Sequence, residues 1–211
     1  MAIIRRKTKS AAAPSKTRRS VAHIIDGIAY KSNTLVKYHN EMKQAVANGW
    51  INSFTLPQIG DGQKKSKFGA YKAEVDGRIF DSVMEARFYV YLKSLEAQGI
   101  ISSFECQVAF ELQPKFRDKF TNKVIFAINY IADFVIVGND GVKTVVDTKG
   151  VETADFLIKK KLMQYKFPDL RFMCVQWVAG SQSWEDLEDI KKERRARKRA
   201  ATAKTKKTKA S

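Results

Sequence analysis

The sequence predicts an α/β fold of the α+β kind with a mixed sheet, in which a helix, three strands, a helix and a strand follow a degenerate helix–strand repeat. Three observations predict it. The segment from Asp26 to Phe54 lies over Asp76 to Phe104 without a gap at a shift of fifty residues, with nine identities in 29 positions. After Gly99 the pattern turns from helical to strand-like, with one period-two run and two apolar runs joined by Asn139-Asp140-Gly141. A helical stretch and a last apolar run close the series.

Each copy of the repeat has the same local logic. Asp26-Gly27 and Asp76-Gly77 make tight turns, and Ser32 and Ser82 stand where a helix N-cap belongs. A helix of about four turns follows, stopped by Gly49 or Gly99. Then comes a short strand entered through Ile51 and Phe54, or Ile101 and Phe104. Glu85 falls three residues after Ser82, the capping-box spacing, whereas the first copy has Leu35 there.

Beyond the repeat, Phe104 to Gln113 alternates, so that Phe104, Cys106, Val108, Phe110 and Leu112 share one face. Tyr130 to Val137 is nearly continuous apolar sequence interrupted by Asp133. Asn139-Asp140-Gly141 is a hairpin turn, and Val142 to Lys149 returns as a strand carrying Asp147 and Lys149. A helix is expected over about residues 153–165, and Leu170 to Val178 reads as a buried strand.

The chain has 211 residues, with 39 Lys plus Arg against 22 Asp plus Glu and a formal net charge of +17. Residues 1–19 hold seven basic side chains and no acid, and residues 191–211 hold eleven and one. The tails therefore carry the whole excess, and residues 20–190 balance at 21 against 21. This divides the chain into a basic arm (1–19), a repeat-derived accessory unit (20–62), a main domain (63–190) and a basic tail (191–211). Both arms are rich in Ala, Ser, Thr and Lys and are expected to be disordered, although the stretch from Trp184 to Arg199 could extend a helix. Such arms attract phosphate backbones through counterion release.

The same composition excludes several classes. No apolar run approaches the roughly 18 residues that cross a bilayer, and the opening Met1-Ala2-Ile3-Ile4 is too short for a signal-peptide core. The expectation is a soluble protein with no membrane association. Cys106 and Cys174 form no Cys-x-x-Cys pair, which argues against zinc and against a disulfide framework. With His23 and His39 the only histidines, a His-based metal site or triad has little to draw on.

A buried strand rarely carries Asp unless the charge is paired or binds a metal. Asp133 and Asp147 lie on two strands joined by a tight hairpin, which brings them into one neighbourhood. Lys149, two residues after Asp147, points to the same face. Two carboxylates suit a hard divalent cation such as Mg2+, and an ammonium can orient a water or stabilise charge developing on a phosphate.

Tyr130-Ile131-Ala132-Asp133-Phe134-Val135-Ile136, followed by Val145-Val146-Asp147-Thr148-Lys149-Gly150, resembles the core motif of the PD-(D/E)XK nucleases, the restriction-endonuclease-like fold. Ser82-Val83-Met84-Glu85 resembles the helix glutamate of phage and archaeal Holliday-junction resolvases and of transposon end-cleaving nucleases. The stretch from about Ser66 to Val178 is similar to a family of phage and prophage proteins of this fold that lack an assigned role. Two positions depart from the pattern: Ala132 stands where the family has proline, and the second acid is Asp147 where Glu is commoner. The resemblance implies a Mg2+-dependent DNA endonuclease, with Mn2+ as a substitute, acting on branched or duplex DNA in the cytoplasm of a prokaryotic or phage-infected cell. Asp133 and Asp147 would hold the metal with the Thr148 carbonyl, Glu85 would complete the metal shell, and Lys149 would position the attacking water. Resolvases of this fold act as dimers because two symmetric cuts need two sites, so a homodimer is a further expectation.

The resemblance for Gln107, and side-chain chemistry for the lysines, suggest weaker nucleic-acid contacts. Gln107 fits either a polar cleft face near the metal or a solvated sheet face. Lys159, Lys160 and Lys161 fit either a passing phosphate backbone or a solvated helix face. Lys64, Lys65 and Lys67 in the linker between the copies offer another backbone contact. Trp50, Trp177 and Trp184 lack the spacing of a stacking platform and are expected in the core. The competing function is a non-catalytic nucleic-acid-binding protein that keeps the fold.

Overall fold

A computed structural model describes residues 23–30, 32–58, 62, 70–148 and 152–208, and these form a mixed α/β structure. The first copy of the repeat is a hairpin of β1 (His23–Ile25) and β2 (Ile28–Tyr30), then α1 (Asn33–Ala47) and β3 (Phe54–Thr55). Fifty residues on come β4 (Ala73–Val75), β5 (Arg78–Phe80), α2 (Val83–Ala97) and β6 (Ile101–Gln113). The local chemistry repeats with the elements. Asp26 and Gly27 have φ of 50° and 76°, Asp76 and Gly77 52° and 75°, the paired positive values of a type I′ turn. The Ser32 and Ser82 hydroxyls accept the N–H of Leu35 and Glu85 as N-caps. Both helices end in a Schellman motif, in which Trp50 and Ile100 donate to the carbonyls of Ala45 and Leu95 across Gly49 and Gly99.

The two copies share one core. β3 pairs antiparallel with β4, and the Asp76 carboxylate accepts the N–H of Asn52 and Ser53. Tyr30, Leu35 and Met42 of the first copy pack in the same cluster as Phe80, Phe88 and Leu92 of the second.

A small hairpin, β7 (Phe116–Arg117) and β8 (Val124–Ile125), follows β6. Next come β9 (Ile128–Gly138), β10 (Lys143–Thr148), α3 (Ala154–Lys166), β11 (Arg171–Val178), β12 (Ser183–Asp186) and α4 (Leu187–Thr208). The five-stranded sheet has the order β12-β11-β10-β9-β6. Only β10 and β11 are parallel, as the intervening α3 requires; their neighbours are antiparallel. The expected order of helix, three strands, helix and strand is thus present as α2, β6, β9, β10, α3 and β11. β12 is not expected from the sequence, which allows Trp184 to a helix; Trp184 instead pairs with Trp177 across β11 and β12.

Neighbouring side chains of the central strands go to opposite faces. Val146 and Val175 join Phe88 and Leu92 of α2, whereas Val145 and Cys174 join Phe156 and Met163 of α3. The long ribbon of β6 and β9 departs from this rule. Phe104, Cys106, Phe134 and Ile136 pack on the α2 side, yet Val108, Phe110, Tyr130 and Ala132, of the same parity, pack on the α3 side. The ribbon therefore turns its apolar face over between Cys106↔Phe134 and Val108↔Ala132. Gln107, at that level, has a left-handed φ of 56°, a conformation that costs a non-glycine residue energy and adds local twist.

The disordered tail expected over 191–211 is corrected for residues 191–208, which continue α4. Leu187 and Ile190 are buried and anchor its first turn. Lys192 with Asp189 and Arg197 with Glu193 then add ion pairs at helical spacing to a run of strong helix formers. The arm at 1–19 lies outside the described residues. Among the described residues no helix is long and apolar enough to cross a membrane.

Candidate active site

The site is built where two central strands part. β9 and β10 pair from Val137↔Lys143 to Phe134↔Val146. The next positions, Asp133 and Asp147, stand opposite each other, but their bonding passes to side chains. The Asp133 N–H donates to Asp147 Oδ1 at 3.2 Å, and the Thr148 N–H donates to Asp133 Oδ2 at 2.8 Å. The Thr148 hydroxyl donates to the same Asp133 oxygen at 3.0 Å. β10 meanwhile stays paired to β11 through Asp147↔Cys174 and Thr148↔Val175, so its end is held while β9 swings away.

Both carboxylates are deep in the protein, Asp147 at 1% and Asp133 at 9% relative exposure. Amide and hydroxyl donors offset part of the cost of burying them. Hard oxygen donors in that arrangement fit a divalent cation of the Mg2+ type. Softer donors nearby do not compete. Burial first of all pushes the Cys174 thiol up to about 12, and a soft sulfur is in any case a poor match for a hard cation.

Tyr130 was not singled out by the sequence. Its ring is buried against Phe156 and Phe172, and its hydroxyl lies beside the Asp147 carboxylate without reaching ordinary hydrogen-bond geometry. Burial first, and then the charge of Asp147, holds this phenol well above its usual range. Period two puts Tyr130 and Asp133 on opposite faces of a regular strand; the turned ribbon removes that separation.

Glu85 sits in the first turn of α2, where its Oε1 accepts the Ser82 hydroxyl at 2.8 Å. One turn on, Phe88 packs on Phe134 with ring centroids 5.2 Å apart, which ties this helix to the residue after Asp133. Among the described residues no three acid, His or Cys side chains are grouped closely enough to hold a metal. The structure thus brings Asp133, Asp147 and Thr148 together and leaves Glu85 at its helix cap. Lys149 lies outside the described residues, as do Lys64, Lys65 and Lys67. Gln107 is exposed on β6 at the level of Asp133.

The lysines of α3 divide. Lys159 donates to the Asn129 carbonyl at 2.9 Å. Lys160 is drawn between Glu188, at 3.2 Å, and Glu152, at 3.9 Å, in a network that Lys191 completes. Lys160 holds the Glu188 carboxyl below its ordinary value. These two cations serve as internal struts, while Lys161 points to solvent.

No curated protein matches the chain. The model of a family described as a protein of unknown function, DUF1064, matches residues 65–186, from just before β4 to the end of β12. That span covers the whole α2-to-β12 unit that builds the site, and the chain belongs to the DUF1064 family.

Proposed function

We propose that the chain is a Mg2+-dependent DNA endonuclease of the PD-(D/E)XK kind, acting on branched or recombining DNA in the cytoplasm. One observation carries this reading: two carboxylates, Asp133 and Asp147, are buried side by side where β9 and β10 part. Two carboxylates set side by side at the end of a strand pair offer the oxygen ligation that a hard cation takes. Bound there, Mg2+ would supply Lewis-acid stabilisation of the phosphoryl oxygens and lower the pKa of a water.

The chain's own groups divide the remaining work. Asp133 and Asp147 would hold the cation, and the N–H and hydroxyl of Thr148 fix the orientation of Asp133. The Thr148 carbonyl would offer a third oxygen, and Glu85 would complete the metal shell from α2. Lys149 would orient the attacking water and balance negative charge as it develops. The basic ends of the chain supply attraction for the backbone, which the acids alone would repel.

The test uses the purified full chain with four-way junction, flap, single-stranded and duplex DNA in Mg2+, Mn2+ or EDTA. Metal-dependent cutting that disappears in Asp133→Ala, Asp147→Asn and Lys149→Ala is the expected result. Binding without cutting on every substrate would overturn it and leave a nucleic-acid-binding protein.

A further inference from the structure

Between β6 and β9 the chain leaves the five-stranded sheet over residues 114–127. This excursion is a hairpin of its own, with Phe116 paired to Ile125 and Arg117 to Val124. Its tip is tied by hydrogen bonds. The Asp118 N–H donates to the Lys123 carbonyl, and the Asp118 carboxylate accepts the N–H of Phe120 and Thr121 and the Thr121 hydroxyl. Arg117 donates to the Asn122 carbonyl at 3.0 Å.

That turn holds Phe120 in water at 98% exposure, and Phe126 at the neck of the hairpin is 75% exposed. Neither ring contributes to the core. Lys115, Arg117, Lys119 and Lys123 alternate with the aromatic residues, and Asp118, the one acid of the segment, is taken up inside the turn. Interleaved cations and open aromatic faces are the two components of a single-strand stacking surface.

The hairpin joins β6 to β9, the strand that carries Asp133. From the level of Gln107 and Asp133 the ribbon runs on through Ala109↔Ile131 and Glu111↔Asn129. Its root is clamped by α3, where Lys159 donates to Asn129 and Lys166 to Glu111. Six residues of strand span about 20 Å, or about six steps along a duplex strand.

We infer that the hairpin of β7 and β8 is a stacking wedge for unpaired nucleic-acid bases: its cations hold the phosphates while Phe120 and Phe126 stack on bases exposed at a branch or gap. The inference rests on the DNA-cleaving reading for its substrate. Charge favours this occupant over a second copy, since two such hairpins face to face would oppose four cations with four. Every base offers a π-face, so the wedge reads loss of pairing and not sequence.

Binding in EDTA, where no cutting occurs, tests it. The full chain is titrated by fluorescence anisotropy with a duplex and with the same duplex carrying two unpaired bases. Phe120→Ala should weaken binding to the second DNA about tenfold and to the plain duplex less than about twofold, and Phe120→Trp should restore the preference. Lys119→Ala with Lys123→Ala should weaken both DNAs alike and flatten the salt dependence. Equal preference in wild type and Phe120→Ala overturns the wedge, as does a dimer that Phe120→Ala splits with DNA binding intact. Mg2+ cleavage separates the two readings. Cutting by both proteins with no change of preference sinks the wedge alone, whereas a lost preference with no cutting by either supports the wedge and sinks the nuclease.

Discussion

Asp133 and Asp147 face each other across β9 and β10, and the Asp133 amide donates to the Asp147 carboxylate where a regular ladder would offer it a carbonyl. The pair closes the ladder with its own side chains, which sets two carboxylates side by side inside the protein. A bound divalent cation should therefore stabilise the fold. Mg2+ at about a hundred times its Kd adds about 2.7 kcal/mol when it binds only the folded state, so the thermal midpoint of the wild type should rise with Mg2+. Asp147→Asn keeps an oxygen for the Asp133 amide and removes one charge, so its midpoint should stay flat. An equal rise in both proteins, followed by differential scanning fluorimetry, would show that the cation binds elsewhere.

Arg87 of α2 donates from Nε to Glu41 of α1 at 2.8 Å, with its side chain only 5% exposed. Its guanidinium carbon lies 3.9 Å from the Tyr38 ring centre and 4.3 Å from that of Trp177. One cation thus joins the first copy of the repeat, the second copy and β11 of the sheet. Arg87→Ala removes a buried member of an ion pair and should cost about 3–5 kcal/mol by urea denaturation. Glu41 is half exposed, so Glu41→Gln should cost about 1 kcal/mol. Similar losses from both substitutions would place the stabilisation in the ion pair and not in the aromatic cage.

A second junction of charge lies in the first hairpin. Asp26 accepts Lys43 Nζ at 2.7 Å and lies 3.0 Å from His39 Nε2, while His39 Nδ1 is hydrogen-bonded with the Tyr30 hydroxyl at 2.7 Å. Lys43 first, and His39 second, hold the Asp26 carboxyl below its ordinary 3.8. A carboxyl lowered in the folded state contributes stability above its unfolded value and loses it as pH falls through the folded value. Asp26→Asn should therefore be less stable than wild type at pH 7, and the gap should shrink as pH drops below 3.8. Urea midpoints across that range measure it, and a gap independent of pH would mean that the charge of Asp26 plays no part.

The repeat and the acids were legible because each rests on local chemistry. Asp-Gly fixes a turn, Ser82 an N-cap and Gly99 a helix stop whatever lies around them, and an Asp inside an apolar strand signals an unusual demand on burial. The turn of the β6 and β9 ribbon was not legible, because nothing in a glutamine marks a left-handed φ; Gln107 adopts it under tertiary constraint. β7 and β8 span two residues each, too few for a period to register, and Pro114 and Asp118 read as loop chemistry. The α4 tail was misjudged because few apolar residues argued for disorder. Helix formation there needs only the anchor at Leu187 and Ile190 and good intrinsic propensity.

That helix changes how the basic excess should be tested. Cutting the chain at 191 would remove Lys191, which bonds Glu152 close after β10, and would mix a structural loss with an electrostatic one. A chain ending at Lys198 keeps the anchor and the strut but omits Arg199, Lys204, Lys206, Lys207 and Lys209. Each phosphate that is no longer neutralised should flatten the slope of log K against log salt by about 0.9 on duplex DNA. The five cations together can therefore remove up to about 4.5 from it. The urea midpoint should be unchanged, because Leu187 and Ile190, which bury the first turn of α4, are both retained. A truncated chain with the wild-type salt slope would mean that this end of α4 does not touch the phosphate backbone, and would leave DNA attraction to the rest of the chain.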